Sequence, residues 1–196
     1  AEAEQDDFQL TLKTDAVMLA SGHSARDVYW HCAEAGVAMQ RMDFAIGLRL
    51  QISQKYIDDL TFGKDARHPL LGPAEFSLKM QDRDTKRSVY TFCMCPGGVI
   101  VNASHGNGEV AVNGMSYSTR ASRFANAAFV VVVGGDDFDN YDPPLEDAPR
   151  LAALERTGAD TAALTGLFFQ QHWERKCFEL AGSDYAAPAQ RVPDFL

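Results

Sequence analysis

The chain has 196 residues, 46% of them hydrophobic, enough for one core-forming domain or one domain plus part of another. Eighteen Lys and Arg against 27 Asp and Glu give a formal net charge of −9. That balance argues against nucleic acid and anionic membrane surfaces as partners, because both are gripped through basic patches.

The elements follow in order. "FQLTLKT" (8–14) alternates and is expected to be a strand. "DAVMLASG" (15–22) has the apolar run of a buried strand ending in a small-residue turn. "SARDVYWHCAEAG" then predicts a helix that Ser24 caps, with Asp27 three residues on, and that Gly36 stops. Ala25, Val28, Cys32 and Ala35 fall on one face of it, which makes Cys32 a packed core thiol. Six strands are expected next, in "FAIGLRLQI", "EFSLKM", "SVYTFCMC", "GVIVNAS", "EVAVNG" and "AFVVVV". Short intervals rich in Gly, Asn, Pro and charge separate them, the pattern of an antiparallel sheet or barrel between about 44 and 133. Asn107-Gly108 is a hairpin signal, which would place both residues at positive φ. The six acids of "GGDDFDNYDPPLEDAP" (134–149) predict a solvated loop; the central glycine and closing glutamate of an EF-hand are missing. A long helix is expected between about 161 and 181, capped by Asp160 and stopped by Gly182. Phe169, Trp173, Cys177 and Leu180 would line one face of it, at spacings of four, four and three, with His172 off that stripe as a surface or packing residue. The predicted class is α+β.

No apolar run reaches the ~18 residues of a membrane span, and "AEAEQDD" looks nothing like a signal peptide. Of the four cysteines, Cys32, Cys93, Cys95 and Cys177, only two are close, and a C-x-C pair is poorly placed for an easy disulfide. The expected setting is reduced and cytoplasmic. On a regular strand Cys93 and Cys95 share a face, with Phe92 and Met94 on the other. A structural zinc site needs four ligands, usually as two pairs, and nothing in the spacing brings His105 or His31 to the thiols. C-x-C is also not the C-x-x-C spacing that activates a thiol on a helix N-terminus. No metal is expected, and the thiols read as small apolar side chains facing a core or a pocket. "CPGG" and "SHGNG" offer glycines that let backbone approach a ligand or simply turn. No G-x-G-x-x-G or G-x-x-x-x-G-K-[ST] occurs, and neither Ser24 nor Ser104 sits in G-x-S-x-G.

Several segments together carry a resemblance. "AVMLASGHSARDVYWHCAEAGVAMQRMDFAIGLRL" resembles the central part of the uncharacterised FAD-dependent dehydrogenases, the NAD(FAD)-utilizing dehydrogenase family. "VYTFCMCPGGVIVNASHGNGEVAVNGMSYSTR", "FANAAFVVVV" and "DYAAPAQRVPDFL" resemble later blocks of the same family, so the likeness covers about 16–196. It implies a middle fragment of a longer flavoprotein: residues 1–40 a strand-helix strip of an incomplete FAD-binding domain, and residues 41–196 the substrate domain inserted into it. The family's ADP-binding strand, glycine-rich turn and helix would lie upstream. "LASGHSARD" looks like the family's A-T-G-type strand end against FAD, with Ser21 in the threonine's place. The resemblance thus places Gly22, His23 and Ser24, and the turn glycines Gly97 and Gly98, on the cofactor. It places Cys93, Cys95, His105, Asn113, Met115 and Ser116 on the flavin and substrate side. It implies an FAD-dependent oxidoreductase acting on a small molecule, with the rest of its own FAD-binding domain as partner and no flavin on this chain alone. Two other readings stay open: a self-standing, non-catalytic β-rich binding module, and a thiol-redox or metal protein using Cys93 and Cys95.

Overall fold

The computed structural model describes residues 11–195. Their order is α1 (Arg26–Glu34), β1 (Phe44–Ser53), α2 (Gln54–Phe62), β2 (Lys79–Gln81), β3 (Ser88–Cys95), β4 (Gly98–Asn102), β5 (Val112–Ser116), β6 (Phe124–Val133), α3 (Ala148–Arg156) and α4 (Thr165–Leu180). The class is α+β and every strand pair is antiparallel. One open sheet has the order β1-β6-β3-β2, and β4 and β5 form a separate two-stranded sheet. The described residues form no closed barrel, so the sheet alternative holds. No helix among them is long and apolar enough to cross a membrane.

Two hydrophobic clusters hold the elements. Trp30 and Ala33 of α1 pack with Leu154 of α3 and with Leu164, Leu167 and Phe168 at the start of α4. Phe138 and Phe169 pack with Val133, against Phe44, Ile46 and Val131 on one face of the large sheet. The rings of Phe44 and Phe138 stack at 5.1 Å, and Phe169 meets Phe138 edge-on at 5.3 Å. The first turns of α4 therefore face two clusters at once, and Gly166 to Phe169 are all buried. The expected stripe along α4 is buried only at its start for the same reason: the second half leaves the core, and Trp173 and Leu180 are exposed. His172 is exposed and packs edge-on to Tyr141, a surface packing residue. On α1 the buried pair is Trp30 and Ala33, so Cys32 is only half-buried.

The helix stops lie where expected. Val37 N–H donates to Cys32 C=O and Gly36 N–H to Ala33 C=O, with Gly36 at φ +69°. Gly182, at φ +84°, ends α4 through the same pair of bonds. The caps differ. Ala25 occupies the N-cap position of α1 and no side chain caps it, so Ser24 is not the cap. Asp160 Oδ1 accepts from Ala162 N–H at 2.9 Å just before the 3₁₀ turn Ala162–Leu164, but Thr161 and Leu164 hold the cap positions of that turn and of α4, and no side chain caps either, so Asp160 is not the cap.

Residues 15–22 form no strand, and the part of the 8–14 expectation within the described residues, 11–14, is likewise irregular. The apolar run is present, but among the described residues no ladder partner lies beside it, and Val17, Met18 and Leu19 are 83%, 91% and 63% exposed. β5 begins at Val112, not at Glu109, because Val110 N–H is drawn away to donate to Glu174 C=O of α4 at 2.9 Å. Gly108 takes positive φ in the β4–β5 loop while Asn107 does not, so the loop is wider than a two-residue hairpin. The acidic segment is partly paired: Asp137 with Arg87, Asp139 with Arg41 and Glu146 with Arg175.

Candidate functional site

β3 carries the irregularity that shapes the site. Phe92 pairs with Ala128 of β6 and Cys95 with Asn126, so three steps on β3 oppose two on β6. Cys93 sits in this bulge at φ +48°, a conformation that costs a residue with a Cβ about 1–2 kcal/mol. The extra residue shifts the alternation. Cys95 shares a face with Phe92 and Asn126 and is buried, while Cys93 is exposed; the two thiols do not share a face. Both are unbridged. Cys95 Sγ donates to Cys93 C=O at 3.4 Å. Burial pushes the Cys95 thiol above its ordinary value, with Cys93 adding to the effect and Arg49 opposing it. A buried, protonated thiol is a poor nucleophile and metal ligand, which weighs against the thiol-redox and metal reading.

Arg49 of β1 lies over this bulge. Its Nη2 donates to Cys93 C=O at 2.7 Å and Nη1 to the same oxygen at 3.4 Å, and Nη2 lies 3.9 Å from Cys95 Sγ. Among the described residues no carboxylate pairs with Arg49. Its Nε is buried without a partner. Asn126 of β6 is 0% exposed, and neither its Nδ2 nor its Oδ1 has a partner. Both side chains converge on Gly114 of β5: a Cβ there would lie 2.5 Å from Arg49 Cζ and would overlap Asn126 Oδ1. A buried amide left unpaired costs about 1–3 kcal/mol, so this spot is maintained against a local penalty.

The candidates gather unevenly. Cys93 and Cys95 touch Arg49, and Asn113 and Met115 flank Gly114 on β5. Ser116 pairs with Gly98 and donates its hydroxyl to Pro96 C=O at 2.9 Å. Gly97 and Gly98 are buried, and the close approach they allow is to the chain itself. Gly97 is at φ +51°, its N–H donates to Gln54 Oε1 at 2.7 Å, and the space for a Cβ is filled by Arg120 C=O. Met115 C=O fills the corresponding space at Gly98. A second cleft, of about 560 Å³, shares Gln54 and Arg120 with this turn and contains no candidate residue.

His105 and Ser24 lie elsewhere, in a cleft of about 320 Å³ at the start of α1. There Arg26 donates to Glu109 at 2.6 Å and to both oxygens of Glu174 at 2.9 and 2.8 Å, and Arg175 reaches Glu109 at 3.3 Å. His105, Glu109 and Glu174 are close enough for one cation, but Arg26 already holds both carboxylates. Burial, aided by the charge of Glu146, raises the Asp147 carboxyl in the same cleft. Gly22 and His23 are exposed beside it, Gly22 at φ +81° with open space around it.

Sequence reasoning missed Arg49, Asn126 and Gly114, although a signal existed. Arg49 is the one charge in "FAIGLRLQI", and Asn126 the one polar residue in "FANAAFVVVV". Inward or outward facing could not be assigned without the β1-β6-β3 register.

The FAD-dependent protein, C-terminal domain-like family matches residues 43–196. The chain is 39% identical over 182 residues to an uncharacterized protein of Clostridium beijerinckii, covering 93% of this chain. It spans about 30% of the length of that relative.

Proposed function

The chain belongs to the FAD-dependent proteins, through their C-terminal domain-like region, and from that membership we propose that it is the part of an FAD-dependent oxidoreductase, a dehydrogenase, that holds the substrate against the flavin. The match of the family to residues 43–196 carries this reading. In it, residues 41–196 are the substrate domain and residues 1–40 a strip of the FAD-binding domain. The exposed apolar run Val17, Met18 and Leu19 supports that division, because it is a strand-like sequence without a ladder partner among the described residues. The rest of the FAD-binding domain would supply one.

The residues present fit FAD on one side. The exposed turn Gly22, His23 and Ser24 opens α1, whose first turn carries no side-chain cap and so suits an anionic group of the cofactor. The ADP half needs a glycine-rich fingerprint that the sequence lacks. Gly97 and Gly98 contribute by shaping the turn below the bulge, since their open sides already meet the chain. When bound, FAD supplies the electron transfer, and the protein binds, orients and excludes water. Arg49, Cys93, Cys95, Asn113, Met115 and Ser116 form the substrate side.

Flavin content tests this. The full-length protein is expected to purify yellow with stoichiometric, reducible FAD, and residues 1–196 alone to be colourless. Stoichiometric flavin on the short chain refutes the division of labour; a full-length protein that takes up no FAD refutes the oxidoreductase reading.

A further inference from the structure

We propose that Arg49 anchors the carboxylate of a small, flat substrate lying on the sheet between Arg49 and Phe92. This names the substrate class for the site described above and rests on that reading.

The first argument is charge. The chain carries nine more acids than bases, so an arginine without a carboxylate is not explained by a shortage of acids. Arg26, Arg150 and Arg175 all have carboxylate partners. Arg49 instead rests on a backbone carbonyl, that of Cys93, which fixes the guanidinium without neutralising it. Two of its five N–H groups go to that oxygen and one faces Cys95 Sγ; Nε is buried without a partner, and one hydrogen on Nη1 is left for a ligand. A carboxylate is the acceptor whose charge matches a guanidinium.

The second argument is the unpaired amide. Asn126 is fully buried beside Arg49, with donor and acceptor both unused. Its side chain and the guanidinium both press on Gly114, filling the room that the missing Cβ leaves. Polar atoms are seldom left in this state unless something else completes them.

The third is shape. Arg49, Ala128 and Phe92 are in register across β1, β6 and β3. Arg49 and Phe92 therefore stand two strand spacings apart, roughly 9.5 Å, with Ala128 as the ladder residue between them. Phe92 is 62% exposed, a large aromatic wall left uncovered. Ala45 and Gly47 continue this face of β1 with small residues. A flat ring bearing a carboxylate fits such a shelf, with its charge at Arg49 and its face against Phe92.

Benzoate and its neutral isostere benzamide are the probes, titrated into the full-length protein by calorimetry, with flavin content measured on the same sample. Benzoate is expected to bind at least tenfold tighter than benzamide. Arg49→Met should abolish that preference, and Arg49→Lys should retain only part of it. Equal affinity for the two probes, no binding of either, or a benzoate affinity within twofold of wild type in Arg49→Met overturns the proposal. The benzoate–benzamide contrast is read on the unaltered protein, so a variant that fails to fold leaves the test intact. Carboxylate-selective, Arg49-dependent binding without flavin refutes the oxidoreductase reading alone. A flavoprotein without the preference refutes this inference alone.

Discussion

Two half-buried arginines of this chain are held in opposite ways. Arg26 lies between Glu109 and Glu174, with Arg175 on the far side of Glu109, and its charge is met by carboxylates. Arg49 lies over a backbone carbonyl beside an amide with no partner. The first arrangement fastens α1 and α4 to the β4–β5 loop and offers a ligand little. The second keeps a cation and an amide in reserve where the strand ladder is broken. An arginine matched by carboxylates stabilises chiefly by not being disturbed, whereas an unmatched one is available for recognition.

The largest expected effect breaks the matched cluster. Glu109 is 3% exposed as a side chain, so Glu109→Ala leaves Arg26 and Arg175 without their shared carboxylate. Arg26 keeps Glu174 and Arg175 keeps Glu146, so the low end of the about 3–5 kcal/mol cost of breaking a buried pair is expected, read as a lower denaturation midpoint. Arg49→Met strands no opposite charge and forfeits only neutral-acceptor bonds, so about 1 kcal/mol is expected. Equal losses would erase the distinction between the two arginines.

Next is Gly97→Ala. Residue 97 must hold φ +51°, and a methyl there runs into Arg120 C=O. The left-handed conformation and the overpacking together are expected to cost about 3 kcal/mol. A midpoint unchanged from wild type would mean that the turn below the bulge is not built as described.

Much of the fold was legible because strand alternation and glycine stops are local. β3 was read at its observed bounds, and Gly36 and Gly182 ended their helices. What failed was decided by distant chain. Residues 15–22 have a strand's composition and, among the described residues, no neighbour to pair with. α2 went unread because it buries only Gln54 and Ile57, too few for a periodic signal. The bulge at Cys93 was invisible because an extra residue leaves no mark on the alternation itself. It moved Cys95 to the opposite face from Cys93, and the shared-face picture of the two thiols failed with it. The candidate site was legible only as a neighbourhood: the segments around Cys93 and Met115 were singled out, but the cation beside them was not.

The Cys95 thiol gives a pH signature of intermediate size. Its folded pKa is raised, so the folded state holds the proton more tightly than the unfolded one. The resulting stability is full below the ordinary thiol value and is lost as pH rises through the raised one. Unfolding midpoints measured from neutral to alkaline pH should fall over that window, and Cys95→Ala should flatten the fall. In a timed alkylation at neutral pH, read by mass spectrometry, the exposed Cys93 should label well before the buried Cys95.

The smallest effects belong to the Cys93 side chain, and they separate its backbone role from its thiol. Arg49 uses the Cys93 carbonyl, and the bulge uses its positive φ; neither needs sulfur. Cys93→Ser should therefore change stability by less than about 0.5 kcal/mol and cost little in benzoate affinity or in flavin reduction in the full-length protein. Cys93→Gly removes the cost of the left-handed conformation and should be neutral or stabilising by up to about 1 kcal/mol. Cys93→Val puts a branched Cβ at the same φ and should cost about 1–2 kcal/mol. It should also weaken benzoate binding, because a bulge that relaxes takes away the carbonyl on which the guanidinium rests. If the serine variant lost flavin reduction while the glycine variant kept its stability, the thiol itself would be a participant, and the unmatched arginine would be a bystander to its chemistry.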